Sequence, residues 1–255
     1  MSQNGEIRIG TSGWHYDHWI GRFYPGDVAK GDLLSWYART FDSVEINNTF
    51  YQLPEPSRLQ GWLRQTLQGF LFACKASRYI THMKKLKEPH SSTKRFFNVI
   101  DTLSDRLGPL LFQLPPNWAV NVERLAEFLA ALPRRYRYAF EFRDESWLIP
   151  AVYDLLQRHD AALCIYEIGG RRSPVEVTTD FTYVRLHGPA GAYQGEYDDR
   201  SLSIWAWRLT DWRDAGTTAF CYFDNDDRAF AVRNAATLRE MVTRNRPADA
   251  DIPVA

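Results

Sequence analysis

Apolar and polar residues alternate in eight short stretches of the chain, and between most of them apolar positions recur at helical spacing. The alternation predicts strands near 7–10, 43–47, 70–75, 109–113, 138–143, 161–166, 182–187 and 218–223. Helical stripes follow, such as Phe96, Phe97, Ile100 and Leu103, or Leu202, Trp205, Ala206, Leu209 and Trp212. Only 167–180 is too short and too rich in Gly and Pro to predict a helix. Strand alternating with helix over 255 residues, with no linker between halves, predicts an α/β fold: a single (β/α)8 TIM barrel of parallel strands. One domain over 1–255 is expected, with 245–255 as a frayed polar tail. A dinucleotide-binding open sheet is disfavoured, because no G-x-G-x-x-G follows the first strand.

The same alternation assigns faces. Helix-facing positions must be apolar, which turns Ile7 and Ile9, Val44 and Ile46, Phe72 and Cys74, Leu110 and Phe112, Phe140 and Phe142, and Val184 and Leu186 outward. The complementary set then faces the interior: Arg8, Glu45, Asn47, Lys75, Gln113, Glu141, Arg143, Tyr183, Arg185 and His187. Barrel interiors are normally aliphatic, so this one is unusually polar. Each buried charge needs a partner, and Arg8 and Arg185 are expected to face Glu45 and Glu141 across the barrel. Helix-to-strand turns such as Asp214-Ala215-Gly216 are short, whereas strand-to-helix loops are long and rich in Trp, Tyr and His. The site is therefore expected at the strand C-termini.

Composition narrows the chemistry. Lys plus Arg and Asp plus Glu are equal at 31 each, so no net charge draws the chain to nucleic acid or acidic membranes, and any anion site must be local. With 9 Trp, 13 Tyr and 15 Phe, aromatics can line a pocket as well as fill a core. Cys74, Cys164 and Cys221 lack metal-ligand spacing and read as small core residues. No apolar stretch resembles a leader or a membrane span, which makes the cytoplasm the expected compartment.

Five runs resemble the YecE-like family: Gly10-Thr11-Ser12-Gly13-Trp14, residues 45–51, Phe140-Glu141-Phe142-Arg143 with Ser146-Trp147, Tyr183-Val184-Arg185-Leu186-His187-Gly188, and residues 222–226. The resemblance extends from about residue 7 to 240 and implies a TIM barrel of unknown function, with no established activity. Two departures add acid near the mouth: Asp144-Glu145 stands where the family pattern has His-Pro, and Asp224 where it has Asn.

Three chemistries compete. Glu45 and Glu141 could form the carboxylate pair of a glycoside hydrolase, although neighbouring arginines oppose the raised pKa that a general acid needs; with His187 they are the candidate catalytic residues. A metal would need Glu45, Glu141, His187 and Asp226, and one His beside Arg185 is too thin a set, so no metal is assigned and no cofactor is named. The cations converge better. Lys75, Arg143, Arg185 and His187 could hold a phosphate, with Asn47, Gln113 and Asn225 as hydrogen-bonders and Trp14, Tyr51 and Trp147 as flat surfaces. The expected ligand is a sugar phosphate, nucleotide or nucleic-acid end, bound by an enzyme such as a phosphodiesterase or by a non-catalytic barrel whose interior charges are structural; no protein partner is indicated.

Overall fold

Strand β1 (Ile7–Thr11) lies beside the last strand of the chain, β9 (Thr218–Phe223), in parallel register from Ile7 opposite Ala219 to Thr11 opposite Phe223. The computed structural model describes residues 5–244, so the expected tail at 245–255 lies outside the described residues. Between these two strands the chain forms β2 (Ser43–Ile46), β3 (Leu71–Lys75), β4 (Leu107–Gln113), β5 (Tyr138–Glu141), β6 (Ala161–Ile168), a two-residue ribbon β7 (Arg171–Arg172) and β8 (Phe181–Leu186). The order is β1-β9-β8-β6-β5-β4-β3-β2, all parallel, with β7 pairing antiparallel on β6. A bridge between Ser12 and Glu45 brings β1 to β2 and nearly closes a TIM barrel. Gly10 permits that approach, since a Cβ there would sit 2.2 Å from the Ser43 carbonyl oxygen.

The helices α1 (Leu33–Thr40), α3 (Pro56–Gln65), α4 (Pro89–Ile100), α5 (Val122–Ala131), α6 (Pro150–Arg158), α7 (Asp199–Asp214) and α8 (Phe230–Arg244) surround the strands, and a single turn, α2 (Asn48–Tyr51), follows β2. Their apolar stripes pack on the outward strand residues in one core that includes Val44, Phe72, Phe112, Phe140 and Val184. A second core fills the barrel with Ala73, Leu111, Ala139, Ala162 and Cys164 against Tyr183, Phe220 and Tyr222. Small residues on one wall leave room for the rings on the other.

No helix joins β6 to β8. There, Thr178 Oγ1 accepts from Leu163 N and donates to Ala161 O, and Ser173 Oγ accepts from Tyr166 N, so the segment satisfies strand groups directly. Arg8 corrects an expectation. It points inward, but its guanidinium pairs with Glu6 at 2.7 Å and Asp42 at 3.4 Å, not with Glu45 or Glu141. Parity fixes the face of a strand residue and not its height: Ser12 bridges Glu45, and Arg8 lies four residues lower, about 13 Å toward the opposite end of the barrel. Among the described residues no helix is long and apolar enough to cross a membrane.

Candidate functional site

The inward positions at the strand ends converge on one guanidinium. Arg185 comes from β8, where Tyr183 and Arg185 face the interior, and it is fully buried. It meets three carboxylates: Glu45 of β2 at 2.7 Å, Glu141 of β5 at 2.9 Å, and Asp224, just past β9, at 2.9 Å. Glu45 is saturated. Its two oxygens also accept from Ser12 Oγ at 2.6 Å and Tyr183 Oη at 2.7 Å, which leaves it no free lone pair to offer a substrate. Burial would raise the Glu141 carboxyl, but Arg143 and Arg185 more than offset it and hold it well below the ordinary carboxylate range. Glu45 and Glu141 therefore anchor Arg185, an arrangement opposite to that of a glycosidase acid and base.

His187 is wholly buried above this network. Its Nε2 faces Arg143 Nη2 at 2.8 Å and Arg185 Nη1 at 3.3 Å. Two donors on Nε2 make it the accepting nitrogen and leave the proton on Nδ1, which faces Asp224 Oδ2 at 3.1 Å. Burial opposes ionisation of Asp224, while Arg185 and His187 outweigh it and lower its pKa. Arg143, partly exposed, pairs with Glu141 and lays its guanidinium 4.8 Å from the centre of the Tyr166 ring.

Three cations, Lys75, Arg143 and Arg185, thus stand against three carboxylates, Glu45, Glu141 and Asp224. The expected cationic clamp is largely committed to its own acids. Lys75 is the exception. Among the described residues it makes no ion pair; its Nζ lies 4.4 Å from the centre of the Phe50 ring, and burial, then the Arg185 charge, lower its pKa to about 8. The Thr49 hydroxyl fixes the end of β3 by donating to Lys75 O at 2.6 Å. On neighbouring strand ends, Asn47 Oδ1 and Gln113 Oε1 are buried without a partner.

Other expected ligand-binders lie elsewhere. Trp147 is completely buried, stacked on Phe142 with ring centres 5.1 Å apart, and donates to Trp118 O at 2.5 Å. Its indole has no surface left for a ligand. Asn225 is also buried and donates to Gly195 O and Asn234 Oδ1, tying the end of β9 to α8. The Trp14 indole packs edge-on against Trp62 of α3, outside the barrel, and Tyr51 is 73% exposed beside Phe50. Sequence reasoning placed Asp224 near the mouth only as added acid, and gave neither Ser12 nor Tyr166 a place in the site. The parity of Phe220, Tyr222 and Asp224 was the available signal for the first. Among the described residues no group of three or more His, Cys, Asp or Glu is arranged to hold a metal.

The family described as "Protein of unknown function DUF72" matches residues 8–254 of this chain. The chain belongs to the DUF72 family. It is similar to the UPF0759 protein YunF of Bacillus subtilis, 26% identical over 92% of this chain and 94% of that one. It is also similar to the UPF0759 protein YecE of Escherichia coli, 30% identical over 54% of this chain and 48% of YecE. The crystal structure of a DUF72 family protein from Thermotoga maritima superimposes with a TM-score of 0.82 at 26% identity, covering 93% of this chain and 99% of that one. A DUF72 protein of Enterococcus faecalis, at 17% identity and a TM-score of 0.79 over 93% and 95% of the two chains, shares the fold.

Proposed function

We propose that the barrel mouth binds a small phosphate-bearing ligand, such as a sugar phosphate or nucleotide, with Lys75 as the contacting cation. The supporting observation is the contrast between Lys75 and its neighbours. Arg185 and Arg143 are neutralised by carboxylates, whereas Lys75 is half-buried, carries no counter-ion among the described residues and has a depressed pKa. A partly desolvated ammonium without a partner is disfavoured, and an anion supplied from outside offsets that cost. The unpartnered amide oxygens of Asn47 and Gln113 supply acceptors for the hydroxyls of such a ligand. The outer edge of Arg143 adds a second donor.

Phosphodiester hydrolysis is a second reading, favoured by one observation: His187 has Nδ1 3.1 Å from Asp224 Oδ2 and Nε2 beside Arg143, so Nε2 would be the proton-exchanging atom if a ligand phosphate draws Arg143 away from it. Calorimetric titration of sugar phosphates and nucleotides against the wild type and Lys75→Met tests the binding. The expected result is a Kd below about 1 mM that weakens at least about tenfold in the variant. Turnover of a chromogenic phosphodiester that disappears in His187→Gln, with binding retained, supports the hydrolytic reading; binding without turnover leaves a ligand-binding barrel.

A further inference from the structure

Beside the mouth, between the loop after β1, the start of α1 and one face of α3, lies a cavity of about 680 Å³. Ligand sites commonly span about 300–1,000 Å³. The wall contributed by α3 is the stripe Arg58, Gly61, Trp62 and Gln65, residues at i, i+3, i+4 and i+7 and so on one side of the helix. Trp14 meets Trp62 edge to face at 4.9 Å; both rings are largely buried, and the edges left accessible form an apolar floor.

Gly61 is the informative residue. It sits in the middle of α3, where glycine is less favourable than alanine. Nothing in the fold asks for it, because an added Cβ would meet only the flexible end of Arg64 at 3.9 Å. Its effect is to keep the cavity wall open. Of the charged groups on the lining, Lys30 and Asp17 pair with each other at 3.0 Å, and exposed Arg58 makes no ion pair among the described residues. His15, held below its ordinary pKa by burial and then by the Arg58 charge, accepts from Asn48 Nδ2 at 3.4 Å.

We infer that this cavity binds a ring-bearing carboxylate, with the flat apolar body against Trp14 and Trp62 beside Gly61 and the carboxylate on Arg58. Arg offers a planar fork matched to a carboxylate, and the tryptophan edges offer the complementary apolar surface. The cavity adjoins the mouth through the loops after β1 and β2, but Arg58, Gly61 and Trp62 stand on α3, outside the barrel interior that holds Lys75 and Arg185.

The test is an amide NMR titration with 2-naphthoate and, separately, its uncharged counterpart 2-naphthylmethanol. Saturable shifts centred on Gly61, Trp62 and Asn48, with a Kd below about 1 mM for the carboxylate and at least about tenfold weaker binding of the alcohol, are expected. Gly61→Leu should abolish these shifts and Arg58→Gln should weaken binding about tenfold. Gly61→Ala should raise the melting temperature, which shows that the helix tolerates a side chain there. The inference fails if no saturable shifts occur, if the alcohol binds as well as the carboxylate, or if Gly61→Leu binds like the wild type. Phosphate binding at the mouth should be unchanged in Gly61→Leu, so the two sites succeed or fail separately.

Discussion

Arg185 and Glu45 form a bidentate ion pair inside the barrel, Nη2 to Oε1 at 2.7 Å and Nε to Oε2 at 3.0 Å, with both side chains shut off from solvent. The pair joins β8 to β2 across the interior, and Glu141 and Asp224 complete the shell of the same guanidinium. Removing one member of such a group leaves a buried charge uncompensated. Arg185→Met and Glu45→Gln should each lower stability by about 3–5 kcal/mol in urea denaturation. The double variant should cost less than the sum of the two, because the partners share one interaction.

Trp147 tests the correction of its role. Its ring is enclosed by Phe142 and Trp118, so Trp147→Ala should lose about 3–5 kcal/mol of stability through the cavity it leaves. The affinity of the mouth for phosphate ligands should stay within twofold of wild type in those molecules that remain folded, which calorimetry below the variant's melting temperature would measure.

Alternation alone made the strands legible, and it also assigned Glu45, Glu141, Lys75 and Arg185 to the interior, because a strand buried on its outer face has only one place for charge. What it lacked was height along the strand. Arg8 has the right parity and the wrong level, and so meets Glu6 and Asp42. Loop aromatics were less legible still: Trp14, Trp147 and Tyr51 follow strands alike, yet two are buried by neighbours distant in sequence and one is exposed. Asp224 falls just beyond the end of its strand, where strand parity no longer dictates which way a side chain points. Nothing in the chain's local pattern says that Asn225, the next residue, turns toward α8.

The loop after β1 is tethered by Asp226, which accepts from Trp19 Nε1 at 2.6 Å and pairs with His18 at 3.0 Å. Burial raises its carboxyl to about 6, opposed by those two contacts. A carboxyl raised in the folded state binds its proton more tightly there than in the unfolded chain, so its contribution is largest at low pH and is lost as pH rises through about 6. Asp226→Asn keeps the acceptor for Trp19 and removes the titration. Relative to wild type, the variant should become progressively more stable between about pH 4 and 6.5 and level off above, as thermal or urea unfolding across that range would show.

Lys75 decides the account of the mouth, and its own titration is the most direct measurement. Following the Lys75 side-chain carbon resonance against pH, with and without a saturating sugar phosphate, reports both its desolvation and its counter-ion. Free protein should titrate near the depressed value of about 8, because burial and Arg185 oppose the charge. With the anion bound, the midpoint should move up by a unit or more, about 1.4 kcal/mol per unit, and ligand affinity should fall as pH rises above the free value. A Lys75 midpoint that does not move in the presence of phosphate ligand, at concentrations up to about 10 mM, would contradict the assignment of this residue as the anion contact.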